Sequence, residues 1–88
     1  MAVTVKTLRP LSDMIGGAKI EVEWSGGTLE DLIRRLAVNK SGDLEKELKE
    51  EDGSLAYLFS INGKVERQLS AVINDGDEVF IFAPMGGG

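Results

Sequence analysis

The sequence contains no cysteine and no histidine. Without cysteine there is no disulfide, thiol nucleophile or thiolate metal site. Without histidine there is no imidazole base, no Ser-His-Asp arrangement and no histidine ligand for a metal. No apolar run approaches the roughly 20 residues of a membrane-spanning helix. The opening "MAVTVKTLRP" lacks a basic stretch followed by a long apolar segment, so it does not read as a secretory signal. These absences predict a cytoplasmic protein that binds no metal, does not enter a membrane and is poorly equipped for catalysis through its own side chains.

Basic residues are the other shortage. Ten Lys and Arg face fifteen Asp and Glu, a net charge of −5 with a pI near 4.6. That balance opposes binding to a phosphate backbone, so nucleic acid is not an expected partner. Overall charge instead favours a partner with a basic docking face. Eighty-eight residues, 42% hydrophobic and 28% charged, fit one soluble globular domain.

Periodicity outlines the architecture. Residues 3–8, "VTVKTL", alternate: Val3 and Val5 share one face, Thr4, Lys6 and Leu8 the other. Pro10 ends that strand, and "LSDMIGG" reads as a turn relaxed by Gly16 and Gly17. "AKIEVEW" alternates again, with Ile20, Val22 and Trp24 inward. Leu29, Leu32, Ile33, Leu36 and Ala37 then follow helical spacing. Thr28 stands three residues before Asp31 as in a capping box, and Asn39 with Gly42 supplies a stop. A minor helix is predicted at "DLEKELKEE", with Leu44 and Leu48 apolar and Glu45 spaced to pair with Lys49. Tyr57, Phe59 and Ile61 share one parity before the tight-turn signal Asn62-Gly63. In the last strand Val79 and Ile81 share one face, Phe80 and Phe82 the other. The expected fold is α+β, two layers, with a sheet packed on one main helix plus a minor helix.

The chain closes on "NDGDEVFIFAPMGGG". This block, with "VTVKTL", "TLEDLIRRLA", "EEDGSL" and "INGKV", resembles the ubiquitin-like β-grasp proteins. Among them it is most similar to the small subunit of molybdopterin synthase and its sulfur-carrier relatives. Two departures exist: Ala83-Pro84 stands where members often have two prolines, and Gly86 where they carry another residue. The resemblance implies a mixed sheet of four to five strands over residues 1–83, the first and last strands being parallel neighbours. It also implies a flexible tail at residues 84–88.

The resemblance also implies a function. An E1-like adenylyltransferase would use ATP to adenylate the carboxylate of Gly88, and a sulfur donor of the cysteine desulfurase or rhodanese type would convert it to a thiocarboxylate. The large subunit of molybdopterin synthase would then place the sulfur on a pterin precursor for the molybdenum or tungsten cofactor. The chain itself would bind no cofactor. Glycines suit such a tail, because Gly86, Gly87 and Gly88 lack the Cβ that would bar a narrow channel. Alternatives are sulfur delivery for thiamine, cysteine or transfer-RNA thiolation, a protein modifier joined through Gly88 to lysines, and a non-covalent binding module. The minor helix counts against the thiamine carriers, which are typically shorter.

In the resembling family the outer sheet face docks the large subunit, which makes Leu8, Val65, Phe80, Phe82 and Pro84 the candidate partner-binding residues. For Phe80 and Phe82 the competing reading is that sheet twist buries one ring against the tail or the second helix. Trp24 matches the parity of Ile20 and Val22 and reads as core. The acidic run Glu45–Asp52 reads as a solvated face. Gly26-Gly27 lacks the lysine of a phosphate-binding loop and reads as a turn before the helix.

Overall fold

The computed structural model describes residues 1–9, 11–38, 43–53 and 55–83. Pro10, Asn39, Gly42, Pro84, Gly86, Gly87 and Gly88, and the side chain of Glu45, lie outside the described residues. The elements are β1 (Ala2–Thr7), α1 (Leu11–Ile15), β2 (Lys19–Glu23), β3 (Gly27–Thr28), α2 (Leu29–Val38) and α3 (Asp43–Leu48). They continue with β4 (Leu58–Ile61), β5 (Lys64–Glu66), β6 (Val72–Ile73) and β7 (Glu78–Phe82). Five strands form a mixed sheet in the order β2-β1-β7-β4-β5, and β3 pairs with β6 in a separate two-stranded ribbon.

The centre of the sheet is the parallel pair β1–β7, in register from Thr4 opposite Glu78 to Thr7 opposite Ile81. Alternation puts Val3, Val5, Val79 and Ile81 on one face, all fully buried, with Phe59 of β4 beside them. Leu29, Leu32, Ile33 and Leu36 of α2 join these in one apolar cluster. Leu44 and Leu48 of α3 extend it. Trp24 is core as expected, and its indole Nε1 donates to the carbonyl of Ile73 at 3.0 Å.

The start of α2 meets its backbone needs from two sides. Leu29 N–H donates to the Ala71 carbonyl at 2.8 Å and Glu30 N–H to the Leu69 carbonyl at 3.1 Å. Asp31 N–H donates to Thr28 Oγ1 at 3.3 Å, while Thr28 N–H donates back to the Asp31 carboxylate at 3.0 Å. These are orphan donors that a helix N-terminus must satisfy. Gly27 makes the arrangement possible, since a Cβ there would lie 2.9 Å from Asp31 Oδ2 and 3.2 Å from the Trp24 ring. The Asn62-Gly63 turn has positive φ at both residues, 54° and 88°, as a type I′ hairpin requires.

Two elements correct the sequence reading. "LSDMIGG" is not a simple turn: Leu11–Ile15 is a helix whose Leu11 and Ile15, four apart, are both buried. Five residues are too few for helical period to stand out from a turn. The β3–β6 ribbon was also unread, because two-residue strands carry no alternation; tertiary pairing creates them.

The cap sets a pH-dependent contribution to stability. Hydrogen bonds from the Thr28 backbone and then its side chain hold Asp31 below its ordinary pKa of 3.8. A depressed pKa stabilises the fold above the unfolded value, and the contribution fades as pH falls through the folded one. Thr28→Ala is expected to cost about 1 kcal/mol in urea unfolding. Asp31→Asn should be less stable than the parent at about pH 7, and the gap should narrow as pH falls below 3.8.

Candidate functional site

Among the described residues, no helix packs along β7 on the face of the sheet opposite the apolar cluster. Phe80 and Phe82 point there, half-buried, with ring centroids 5.7 Å apart in an edge-to-face contact. Across the sheet Phe80 is opposite Ser60, and Ser60 is opposite Val65. Phe82 is opposite Leu58. The small Ser60 between the larger Phe80 and Val65 leaves a recess. It opens into a groove of about 570 Å³ whose walls include Leu8, Val65, Phe80 and Phe82. Leu8 and Val65 remain 63% and 46% exposed, so this is a surface without a cover among the described residues.

Four of the five residues singled out as partner-binding therefore meet in one place. Neither phenylalanine is buried against the second helix. Pro84 and the three glycines lie outside the described residues. Ala83, which joins β7 to them, is part of the groove wall.

Sequence reasoning missed the polar members of this groove. Thr7, Arg9, Tyr57 and Ser60 also line it. Thr7 is buried and donates its hydroxyl to the Ile81 carbonyl at 2.8 Å, tying β1 to β7 beneath the groove. Tyr57, just before β4, packs partly against the core as its parity with Phe59 and Ile61 predicts, and it also reaches the groove wall. Its hydroxyl donates to a Glu47 carboxylate oxygen at 2.6 Å, linking the groove rim to α3. No signal in the sequence connects residues 47 and 57.

A second, shallower cavity of about 340 Å³ lies between the end of β2 and α2, lined by Trp24, Asp31, Arg34 and Arg35 among others. The buried Trp24 ring, bonded through its Nε1, has no free polar edge to offer a ligand there. Among the described residues, no helix is long and apolar enough to cross a membrane.

Comparison with known proteins agrees with this geometry. The profile of the ThiS family matches residues 5–88. CysO of Mycobacterium tuberculosis superposes with a TM-score of 0.78 at 32% identity, covering 94% of this chain and 99% of that one. SAMP1, a small archaeal modifier protein of Haloferax volcanii, gives 0.78 at 25% identity over 100% of both chains. The complex of subunits 1 and 2 of the molybdopterin-converting factor from Helicobacter pylori supplies a match of 0.59 at 25% identity, again over 100% of both chains. No curated protein sequence matches the chain. The mixed five-stranded sheet is thus that of a ubiquitin-like β-grasp protein.

Tyr57 provides a probe of the groove rim, because it is the one tyrosine. Burial first, then the hydrogen bond to Glu47 and its negative charge, push the phenol up to about 12. A raised pKa means the contribution is present below the phenol's ordinary value of 10.0 and lost as pH rises through the folded one. Ultraviolet titration should place the midpoint near 12. Glu47→Gln should lower it only part of the way, because burial, the larger cause, remains.

Proposed function

Because the chain belongs to the ThiS family, we propose that it is a sulfur carrier whose reactive group is the carboxylate of Gly88. Adenylation by an E1-like adenylyltransferase consumes ATP and makes that carboxyl a mixed anhydride with AMP, reactive toward nucleophiles. The outer sulfur of a persulfide on a donor of the cysteine desulfurase or rhodanese type displaces AMP to give an acyl disulfide, and a thiol then cleaves its S–S bond, leaving the thiocarboxylate and a disulfide. The carrier then docks on a second enzyme, which takes the sulfur. The chain's own contribution is to bind and to present the acyl group.

The observation that carries this reading is the uncovered apolar groove at the end of β7, walled in part by Ala83, from which the chain continues into residues 84–88. A surface with exposed Leu8 and Val65 beside two half-buried phenylalanines fits partner docking. Placed there, a partner would hold the strand that leads into the tail. For the acceptor we favour the pterin precursor of the molybdenum or tungsten cofactor, with this chain as the small subunit of molybdopterin synthase. The match to the Helicobacter pylori complex supports that choice.

A second reading rests on the higher identity to CysO and the match to SAMP1. In it the same thiocarboxylate serves another pathway, such as thiamine, cysteine or transfer-RNA thiolation, or the activated Gly88 is joined to lysines of other proteins.

Intact mass spectrometry tests the activation step that these readings share. Incubation with the activating enzyme, ATP and a sulfur donor should add the mass difference between one sulfur and one oxygen, and deletion of Gly88 should abolish the change. A chain never adenylated would overturn the carrier reading. Lysine-linked adducts in cell lysate would favour the modifier. Phe82→Asp should weaken partner binding by about 2 kcal/mol, roughly thirtyfold, with the circular dichroism unchanged. Loss of the fold would place Phe82 in the core.

A further inference from the structure

Asn62, in the turn between β4 and β5, is among the described residues the only non-glycine with positive φ. Both ends of its carboxamide are held. Nδ2 donates to Asp77 Oδ1 at 2.9 Å, and Oδ1 accepts the Glu78 N–H at 2.9 Å. Asp77 is itself fixed, since its other carboxylate oxygen accepts the Asn74 N–H at 2.8 Å and its carbonyl accepts the Thr4 N–H at 3.1 Å. The Gly63 N–H, by contrast, has no acceptor among the described residues. A Cβ built on Gly63 would meet nothing within 4 Å, so this nitrogen is open to water and no side chain shields it. Asn39 and Asn74 precede Lys40 and Asp75, which leaves Asn62 as the one asparagine followed by glycine. Gly63 and Val65 also belong to the groove wall.

We propose that Asn62 is a deamidation site, gated by its hydrogen bonds to Asp77 and the Glu78 N–H, whose product alters the groove from its hairpin side. Gly63 N–H gives its proton to hydroxide, and the nitrogen attacks Asn62 Cγ. A bond forms between that nitrogen and Cγ, the Cγ–Nδ2 bond breaks, and ammonia leaves with a proton from water. Water then opens the five-membered succinimide at either carbonyl, giving an aspartate or an isoaspartate. Nothing is oxidised or reduced, and water is the only co-reactant. Attack requires the carboxamide to turn toward Gly63, which the two hydrogen bonds oppose. Isoaspartate would add a backbone carbon to a two-residue turn whose geometry matches the twist of its strands. An aspartate would set a second carboxylate against Asp77 in place of a donor. Either product loosens the hairpin that carries Val65.

The test incubates the full chain in mildly alkaline buffer and maps its peptides by mass spectrometry, which locates each exchange of NH for O and separates aspartate from isoaspartate. Asn62 in the folded parent should convert at least about tenfold more slowly than in urea, where neither bond exists. Asp77→Ala, with its fold checked by circular dichroism, should convert about tenfold faster than the folded parent. Asp75→Ala removes a carboxylate from the same loop that accepts the Ala2 N–H instead, and should stay within about twofold of the parent. If Asp77→Ala does not fold, Asp77→Asn carries the comparison; it keeps an acceptor but loses the charge, and should convert about threefold faster. Equal rates for the folded and unfolded parent overturn the proposal, as does conversion at Asn39 or Asn74 ahead of Asn62 in the Asp77 variants. An equal acceleration in Asp75→Ala also overturns it, by making general loosening of the loop the cause. This chemistry is independent of activation at Gly88, so either can fail without the other.

Discussion

Everything in this fold depends on the parallel pairing of β1 with β7. These strands stand at opposite ends of the described chain, and their contact closes a loop that holds nearly all the other elements. Loop closure of that length costs conformational entropy, offset only when the joined strands bury apolar surface together. Val3, Val5, Val79 and Ile81 do so, each with no exposed surface. The Thr7 hydroxyl then fastens the far end of the pair to the Ile81 carbonyl. A parallel pair also needs a crossover connection, and the intervening helices supply it while covering one face.

The same pairing makes the functional surface. Because alternation has period two, burying Val79 and Ile81 turns Phe80 and Phe82 to the opposite face. Among the described residues those rings and Leu8 meet no cover there, and the small Ser60 next to them makes a groove. The buried face and the candidate docking face are thus two sides of one strand.

A carrier of this kind separates presentation from chemistry. In the proposed role, absence of cysteine and histidine would cost nothing, because an activated acyl carbon needs no neighbouring base when the activating enzyme supplies the leaving group. CysO, SAMP1 and the molybdopterin-converting factor share the sheet under different names. Fold alone does not choose among acceptors, and the choice lies with the residues that meet the partner.

Much was legible in the residues themselves. Alternation in "VTVKTL" and "EVFIF" assigned the buried and outward positions correctly, and helical spacing from Leu29 to Ala37 located α2. Thr28 with Asp31 marked its start, and Asn62-Gly63 marked the hairpin, because each depends on neighbours within a few residues. Alternation also divided Phe80 and Phe82 from Val79 and Ile81 before any contact was known. What tertiary structure decided is everything that joins distant residues. The β3–β6 ribbon, the bond between Tyr57 and Glu47 and the recess over Ser60 leave no local trace. Periodicity reports which face a side chain takes, but only strand order and register report which side chains share it.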